Sequence, residues 1–292
     1  MKLDVVKDKA LFALARLYSK GTMAEVAERT GHVQHEMTVA AVLDLNPAAR
    51  RITFAAPELR DFTLAAPDEF FGLIFPLDGG ELTMPDPERT NVRAAIADLP
   101  GEERPGLRWY TVRAHRPAAG EIDVDIITHG TDGPGSAWTL SAQVGDRVGF
   151  RSGGGLYRGF EHDGAQLLVA DETAVPALAA VLDERDRRGL GSDRLRMHVE
   201  VPRLEVLDGM GLDRRVAAGE IRVHDRGSAA PGSSVVAALE ADPTATADLD
   251  YAWLCGESGL ATGVRRHLVK DLGMDKHRVL FSGYWKLGAA RG

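Results

Sequence analysis

Three rhythms of apolar and polar residues follow one another along the chain. Over residues 4–30, Leu11, Leu14 and Leu17 recur at helical spacing, and Gly21 interrupts the run before MAEVAERTG, which predicts helices. Over residues 36–160 the pattern changes to short runs set between Pro, Gly and Asp clusters: MTVAAVLDL, RRITFAA, FFGLIFPL, RWYTVRAH, EIDVDIITH and DRVGF. Such runs predict a closed antiparallel β-barrel. From about residue 165, strand-like and helix-like runs alternate. QLLVAD leads into TAVPALAAVLDERDRRG, LRMHVEV and EIRVH follow, SSVVAALEAD reads as a short helix, and LDYAWLCG leads into SGLATGVRRHLVKDLG before HRVLFSGYW. That alternation predicts a parallel sheet with helices on its faces. The expected architecture is all-β plus α/β: a helical extension over 1–35, a barrel over 36–162 and a parallel α/β domain over 163–292. A cleft between two such domains is where a ligand is expected.

Composition changes this picture little. The 292 residues are 44% hydrophobic and 27% charged, ordinary for a globular protein with room for two cores. No apolar run approaches membrane-spanning length, and MKLDVVKDKALFALARLYSKG lacks a signal-peptide cleavage pattern, so a cytoplasmic location with no membrane partner is expected. A single cysteine, Cys255, excludes an intrachain disulfide and any multi-cysteine metal site. The net charge of −8 argues against nucleic acid as the main partner. Residues 262–292 run against that balance, with seven basic residues to two acidic ones. The cluster is either a solvated face or a site for an anion.

Three stretches carry candidate chemistry. RWYTVR (108–113) places Arg108, Tyr110 and Val112 on one face of a strand. That is either an edge strand with a solvated arginine or a platform for something flat and phosphorylated. HGTDGPGSAW (129–138) follows the next strand; its glycines allow close backbone approach, and its amides at a helix start suit a phosphate. Either stretch alone is weak evidence, and together they read as a pyrophosphate clamp. In VADETAVPAL (169–178), Asp171, Glu172 and Thr173 stand where a dinucleotide-binding sheet has its glycine turn. Carboxylates there are expected to occupy that site and repel a pyrophosphate.

Taken in order, RWYTVR, HGTDGPGSAW, DETAVPA, YAWLCGES with VRRHL, and SGYWKLG resemble the siderophore-interacting protein family of FAD-containing ferric-siderophore reductases, a branch of the ferredoxin–NADP reductase-like superfamily. The resemblance covers roughly residues 36–288. It implies an FAD-binding barrel followed by a reductase domain of the NAD(P)-binding type. It further implies that Arg108, Tyr110, Thr111 and Val112 hold the flavin and its phosphates. By the same resemblance His129, Gly130, Ser136 and Trp138 line the pyrophosphate and adenine side, and Thr173 faces the flavin cleft. Where the family has a GPRG-like turn this chain reads FRSGGGLY, so Arg151 stands one step out of register. LARLYSKGTMAEVAERTG resembles the start of a helix-turn-helix, but the strand-like HEMTVAAVLDL follows, and a helix docked on the barrel is the expectation.

Single residues complete the reading. Cys255 reads as a small core residue. Trp285 either stacks near the flavin or anchors the C-terminus. Lys286, next to Tyr284 and Trp285 at a strand end, is the first candidate to meet an anionic ferric siderophore, with Arg151 second and Arg265 third. No metal site and no acid–base catalytic residue is expected, because the flavin carries the electrons. The implied function is reduction of Fe(III) in a siderophore, with NAD(P)H or a ferredoxin as donor. A general NAD(P)H–flavin oxidoreductase and a flavin- or siderophore-binding protein without turnover are the alternatives.

Overall fold

A computed structural model describes residues 21–27, 29, 31–77, 79–128 and 133–289. The helical reading of the N-terminal segment falls largely on residues 1–20, outside the described residues.

The first domain is one seven-stranded antiparallel sheet: β1 (Gln34–Asn46), β2 (Ala49–Ala55), β3 (Phe70–Phe75), β4 (Gly106–Thr111), β5 (Ala114–Arg116), β6 (Glu121–Ile127) and β7 (Arg147–Gly154). Its order is β4-β3-β7-β1-β2-β6-β5. RWYTVRAH, expected as one strand, is two: β4 lies on one edge of the sheet and β5 on the other. Only Val112 and Arg113 join them, so the edges must meet and the sheet closes on itself. At that seam the Val112 N–H donates to the Glu69 carbonyl (2.8 Å) and the Arg113 N–H to the Asp123 carbonyl (2.8 Å). Ile52, Phe54, Phe71, Val124 and Phe150 fill the interior. Helix α1 (Val92–Ala97) sits after β3, and α2 (Pro134–Ser141) after β6.

The second domain is a parallel sheet of order β10-β9-β8-β11-β12. Its elements are β8 (Ala165–Asp171), α3 (Val175–Arg187), β9 (Leu195–Val201), α4 (Asp213–Ala217), β10 (Ile221–Asp225), α5 (Ser233–Ala241), β11 (Leu249–Glu257), α6 (Ser258–Arg266) and β12 (Val279–Trp285). The central strand β8 is buried on both faces, so QLLVAD is a continuous apolar run rather than an alternating one. Leu168 and Ala170 face α3, while Leu167 and Val169 face the side of α5 and α6.

Residues 155–164 join the domains, and one buried carboxylate locks the joint. Asp68, in the loop before β3, accepts the N–H groups of Leu156 (2.9 Å) and Tyr157 (2.9 Å) and the indole N–H of Trp253 on β11 (3.0 Å). The described part of the N-terminal segment binds both domains rather than the barrel alone. Ala24 N–H donates to the Val279 carbonyl (3.1 Å), and Arg29 pairs with Glu69 (3.1 Å). Among the described residues no helix is long and apolar enough to cross a membrane, and no cluster of metal-ligating side chains occurs.

Candidate functional site

Strand β4 delivers Arg108 and Tyr110 to one face, as the alternation predicts, while Leu107 and Trp109 pack on the other side. Val112 shares the Tyr110 face but is buried in the barrel core, and Thr111 is buried at the strand end. Helix α2 starts directly against the Arg108 and Tyr110 side chains. A Cβ on Gly135 would lie 2.8 Å from the Tyr110 hydroxyl and 2.9 Å from Arg108 Cγ. Burial pushes the Tyr110 phenol up to about 12, so it stays protonated and able to donate. Pro134 and Gly135 open the helix, Ser136 lies in its first turn, and no described side chain caps it. Free amides of a helix start beside a guanidinium suit a phosphate. His129 and Gly130 lie outside the described residues.

The carboxyl edge of the parallel sheet is built the opposite way. Asp171 at the end of β8 is fully buried. Its Oδ1 accepts Thr173 N–H (2.9 Å), the Thr173 hydroxyl (2.6 Å) and Ala174 N–H (3.2 Å) at the start of α3. Its Oδ2 accepts Glu257 N–H (2.7 Å) and the Trp285 indole N–H (2.7 Å). Burial, with Glu172 alongside, pushes the Asp171 carboxyl up to about 6 against the pull of those donors. Glu200 at the end of β9 caps α5 through Gly232 N–H (2.5 Å) and Ser234 N–H (3.1 Å). Glu257 at the end of β11 caps α6 through Gly259 and Leu260 (3.2 Å). Three helix starts that could hold a dinucleotide's phosphates are thus filled by the protein's own carboxylates. Repulsion by Glu172, however, is not how this edge works, because Arg226 neutralises it with two hydrogen bonds (3.0 and 3.1 Å) between buried side chains.

The other expected site residues have diverse surroundings. Trp138 lies in the barrel core, stacked on Phe54 at 6.3 Å between centroids, because α2 turns that face inward. Arg151 is buried. Its guanidinium donates to Gln34 (3.0 Å) and to the carbonyls of Pro87 (3.3 Å), Arg89 (2.5 Å) and Thr90 (3.3 Å), pinning a loop to the barrel. Burial lowers its pKa to about 10. Arg265 donates to the Thr22 carbonyl (2.8 Å) and lies over the Phe281 ring (4.6 Å), so it fastens the N-terminal segment. Lys286 is exposed one residue beyond β12, beside Trp285, as a strand-end cation should be. Arg278, of the same basic cluster, pairs with Asp250 (2.6 Å).

Asp171 brings together two expected residues far apart in sequence, Thr173 and Trp285. Sequence reading missed Asp68, Glu200, Glu257 and Arg226. Glu257 carries a legible signal, a carboxylate directly before Ser258-Gly259 at a helix start. Glu200 carries none, since it caps a helix more than 30 residues away. A cleft of about 980 Å³ lies along β5 and the outer face of α3, lined by Val112, Arg113, His115, Tyr157, Asp183 and Arg188 among others. Of the expected cofactor residues that the structure describes, only Val112 reaches it, and Arg113 is paired there with Asp183 across the domains (2.6 Å).

Residues 38–156 match the family pattern described as a siderophore-interacting FAD-binding domain, and residues 164–288 match the one described as siderophore-interacting protein. An uncharacterized protein of Mycobacterium tuberculosis is 30% identical over 274 residues, covering 88% of this chain and 92% of the relative. The ferric vibriobactin reductase ViuB of Vibrio cholerae is 27% identical over 187 residues, 64% of this chain and 67% of the relative. Among solved structures, a siderophore utilization protein from T. fusca aligns with a TM-score of 0.70 at 27% identity, covering 90% of this chain and 96% of that one. The siderophore-interacting protein SipS from Aeromonas hydrophila aligns with a TM-score of 0.66 at 25% identity, covering 88% and 93%.

Proposed function

The chain belongs to the siderophore-interacting protein family, and from that premise we propose that it is an FAD-dependent ferric-siderophore reductase. The observation that carries the reading is the junction of β4 and α2. A helix start with no cap among the described residues rests on Arg108 and Tyr110, and Gly135 leaves no room for a side chain between them. That cradle fits a flavin nucleotide: Arg108 and the first amides of α2 would hold the phosphates, Tyr110 would lie beside the ring system, and Thr111 and the Val112 backbone would meet its edge. Thr173 and Trp285 would close the far side. FAD, when bound, supplies a carrier that takes up an electron pair and passes electrons on singly.

The substrate is Fe(III) in a siderophore. One electron converts it to Fe(II), which hard oxygen ligands hold far less well, so the metal leaves without any bond in the ligand being broken. No side chain need move a proton, and the protein's work is binding and orientation. Lys286, exposed beside Trp285, offers an ammonium to an anionic ferric complex. The donor in this reading is a nicotinamide nucleotide or a ferredoxin. The filled helix starts at Asp171, Glu200 and Glu257 favour a donor that does not need a pyrophosphate site there.

Anaerobic reduction of the FAD-loaded protein with each donor, followed by a ferric siderophore, tests this. Reoxidation of the flavin with stoichiometric Fe(II) appearing in a chelator trap is expected. Reoxidation by other acceptors but not by ferric siderophores would make the protein a general flavin oxidoreductase. FAD binding without either would make it a binding protein.

A further inference from the structure

We propose that Asp171 is a positioning residue for the flavin cleft: its carboxylate fixes the Trp285 indole so that only apolar ring surface faces outward. The proposal rests on the flavin reading above. Capping α3 occupies one oxygen, Oδ1, which receives Thr173 and Ala174. The second oxygen is not needed for that task. It reaches across two strands to the Glu257 N–H and the Trp285 indole N–H, both at 2.7 Å. The backbone is cleared for it, since Gly256 has φ +136° and a Cβ there would lie 2.6 Å from the Asp171 carboxyl carbon. Only glycine takes that conformation at low cost.

The same corner is held at two more points. Ser258 donates its hydroxyl to the Trp285 carbonyl (2.8 Å), and the Leu287 N–H donates to Glu257 (2.9 Å). Trp285, Lys286 and Leu287 therefore have a fixed backbone, while the indole is half-buried and Lys286 is exposed. Because the one polar atom of the indole is turned inward, the ring offers a flat hydrocarbon surface to its other neighbours. A flavin ring would meet a wall that neither competes for its heteroatoms nor swings away.

Asparagine at position 171 separates positioning from packing. If its oxygen keeps the α3 cap, its NH2 faces two N–H donors and must release the indole. Wild type, Asp171→Asn, Trp285→Phe and the double variant are labelled with fluorotryptophan and followed by fluorine NMR, the Trp285 signal being assigned by its loss in Trp285→Phe. In wild type that signal should move when FAD is added. In Asp171→Asn it should already be displaced without FAD, and FAD affinity should fall about three- to tenfold, the size of one lost hydrogen bond. The double variant should bind no worse than the weaker single one. An unmoved Trp285 signal in Asp171→Asn, or FAD affinities that fall additively, overturns the proposal. Trp285→Phe keeps the other four donors on Asp171 and gives the affinity test even if Asp171→Asn folds poorly. Failure of the flavin reading looks different: FAD then moves no tryptophan signal in wild type, while the Asp171–Trp285 link still reports in the FAD-free protein. That result ends the cleft role and leaves only a structural clamp.

Discussion

Replacing Gly135 by alanine tests whether α2 and β4 form one phosphate site. The new methyl carbon would sit 2.8 Å from the Tyr110 hydroxyl and 2.9 Å from Arg108 Cγ. Ordinary contacts for such atoms are about 3.5–4.0 Å, so roughly half an ångström or more must be found by moving both side chains. Neither moves freely, since the Tyr110 ring is packed against the barrel core and Arg108 donates to its neighbour's carbonyl at 2.8 Å. A charge-assisted hydrogen bond is worth about 1.5–3 kcal/mol, and losing a third to a half of it weakens FAD binding about two- to tenfold. Arg108→Ala removes the bond outright and should cost about 10- to 150-fold on the same scale. Alanine is the better helix former by about 1 kcal/mol, which offsets part of the crowding, so melting temperature should change little in Gly135→Ala. Flavin fluorescence titrations at low and high salt measure the affinities, and the Arg108 contribution should shrink at high salt. Wild-type affinity in Gly135→Ala alongside a weakened Arg108→Ala would detach α2 from the site. Wild-type affinity in both would sink the assignment.

Three further outcomes are expected. Burial and the neighbouring His224 and Arg222 lower the His198 pKa to about 4, so the unfolded chain takes up a proton near 6.5 that the folded one refuses; stability present above that pH should fall as pH drops towards 4, by up to about 3 kcal/mol, and His198→Leu should flatten the acid limb of a melting-temperature profile. Lys286→Ala should raise the apparent KM for an anionic ferric siderophore, less so at high salt or with a neutral complex, and leave FAD content intact; identical kinetics with the anionic substrate would remove Lys286 from the site. NADH and NADPH should reduce the flavin slowly and with weak saturation, and rapid, tight reduction by either would refute the closed-edge reading of the parallel sheet.

Much of the fold is legible in the sequence because burial imposes a period. The barrel strands and the strand–helix alternation fall where the apolar pattern puts them, and the Arg108–Tyr110 face follows from the strand period. What was not legible depends on closure. Nothing in RWYTVRAH says that the chain leaves one sheet edge and joins the other after Thr111; that is a property of the whole barrel. Trp138, which the family resemblance puts on the pyrophosphate and adenine side, stacks on Phe54 in the barrel core, a contact that depends on where α2 lies. Arg151 and Arg265 look like free cations because their partners are mainly backbone carbonyls, which leave no mark in composition. Asp171 and Glu172 were visible as carboxylates in the wrong place for a pyrophosphate, but Arg226, which turns one of them into a neutral pair, comes from a different strand end.

The helix starts of the two domains differ in a way that orders the function. An uncapped helix start is a standing site for an anion, and a carboxylate that fills it removes that site as surely as a bulky side chain would. In the α/β domain the starts of α3, α5 and α6 are each filled by a carboxylate at a strand end, two of the three from the strand immediately before. In the barrel domain the start of α2 is left without a described cap and lies against the Arg108 side chain instead. The same fold element is thus capped by carboxylates in one domain and has no described cap in the other, as the proposed flavin site requires. On the proposed reading, the parallel sheet would serve the flavin through Thr173, Trp285 and Lys286 at its edge, as a wall and a docking corner.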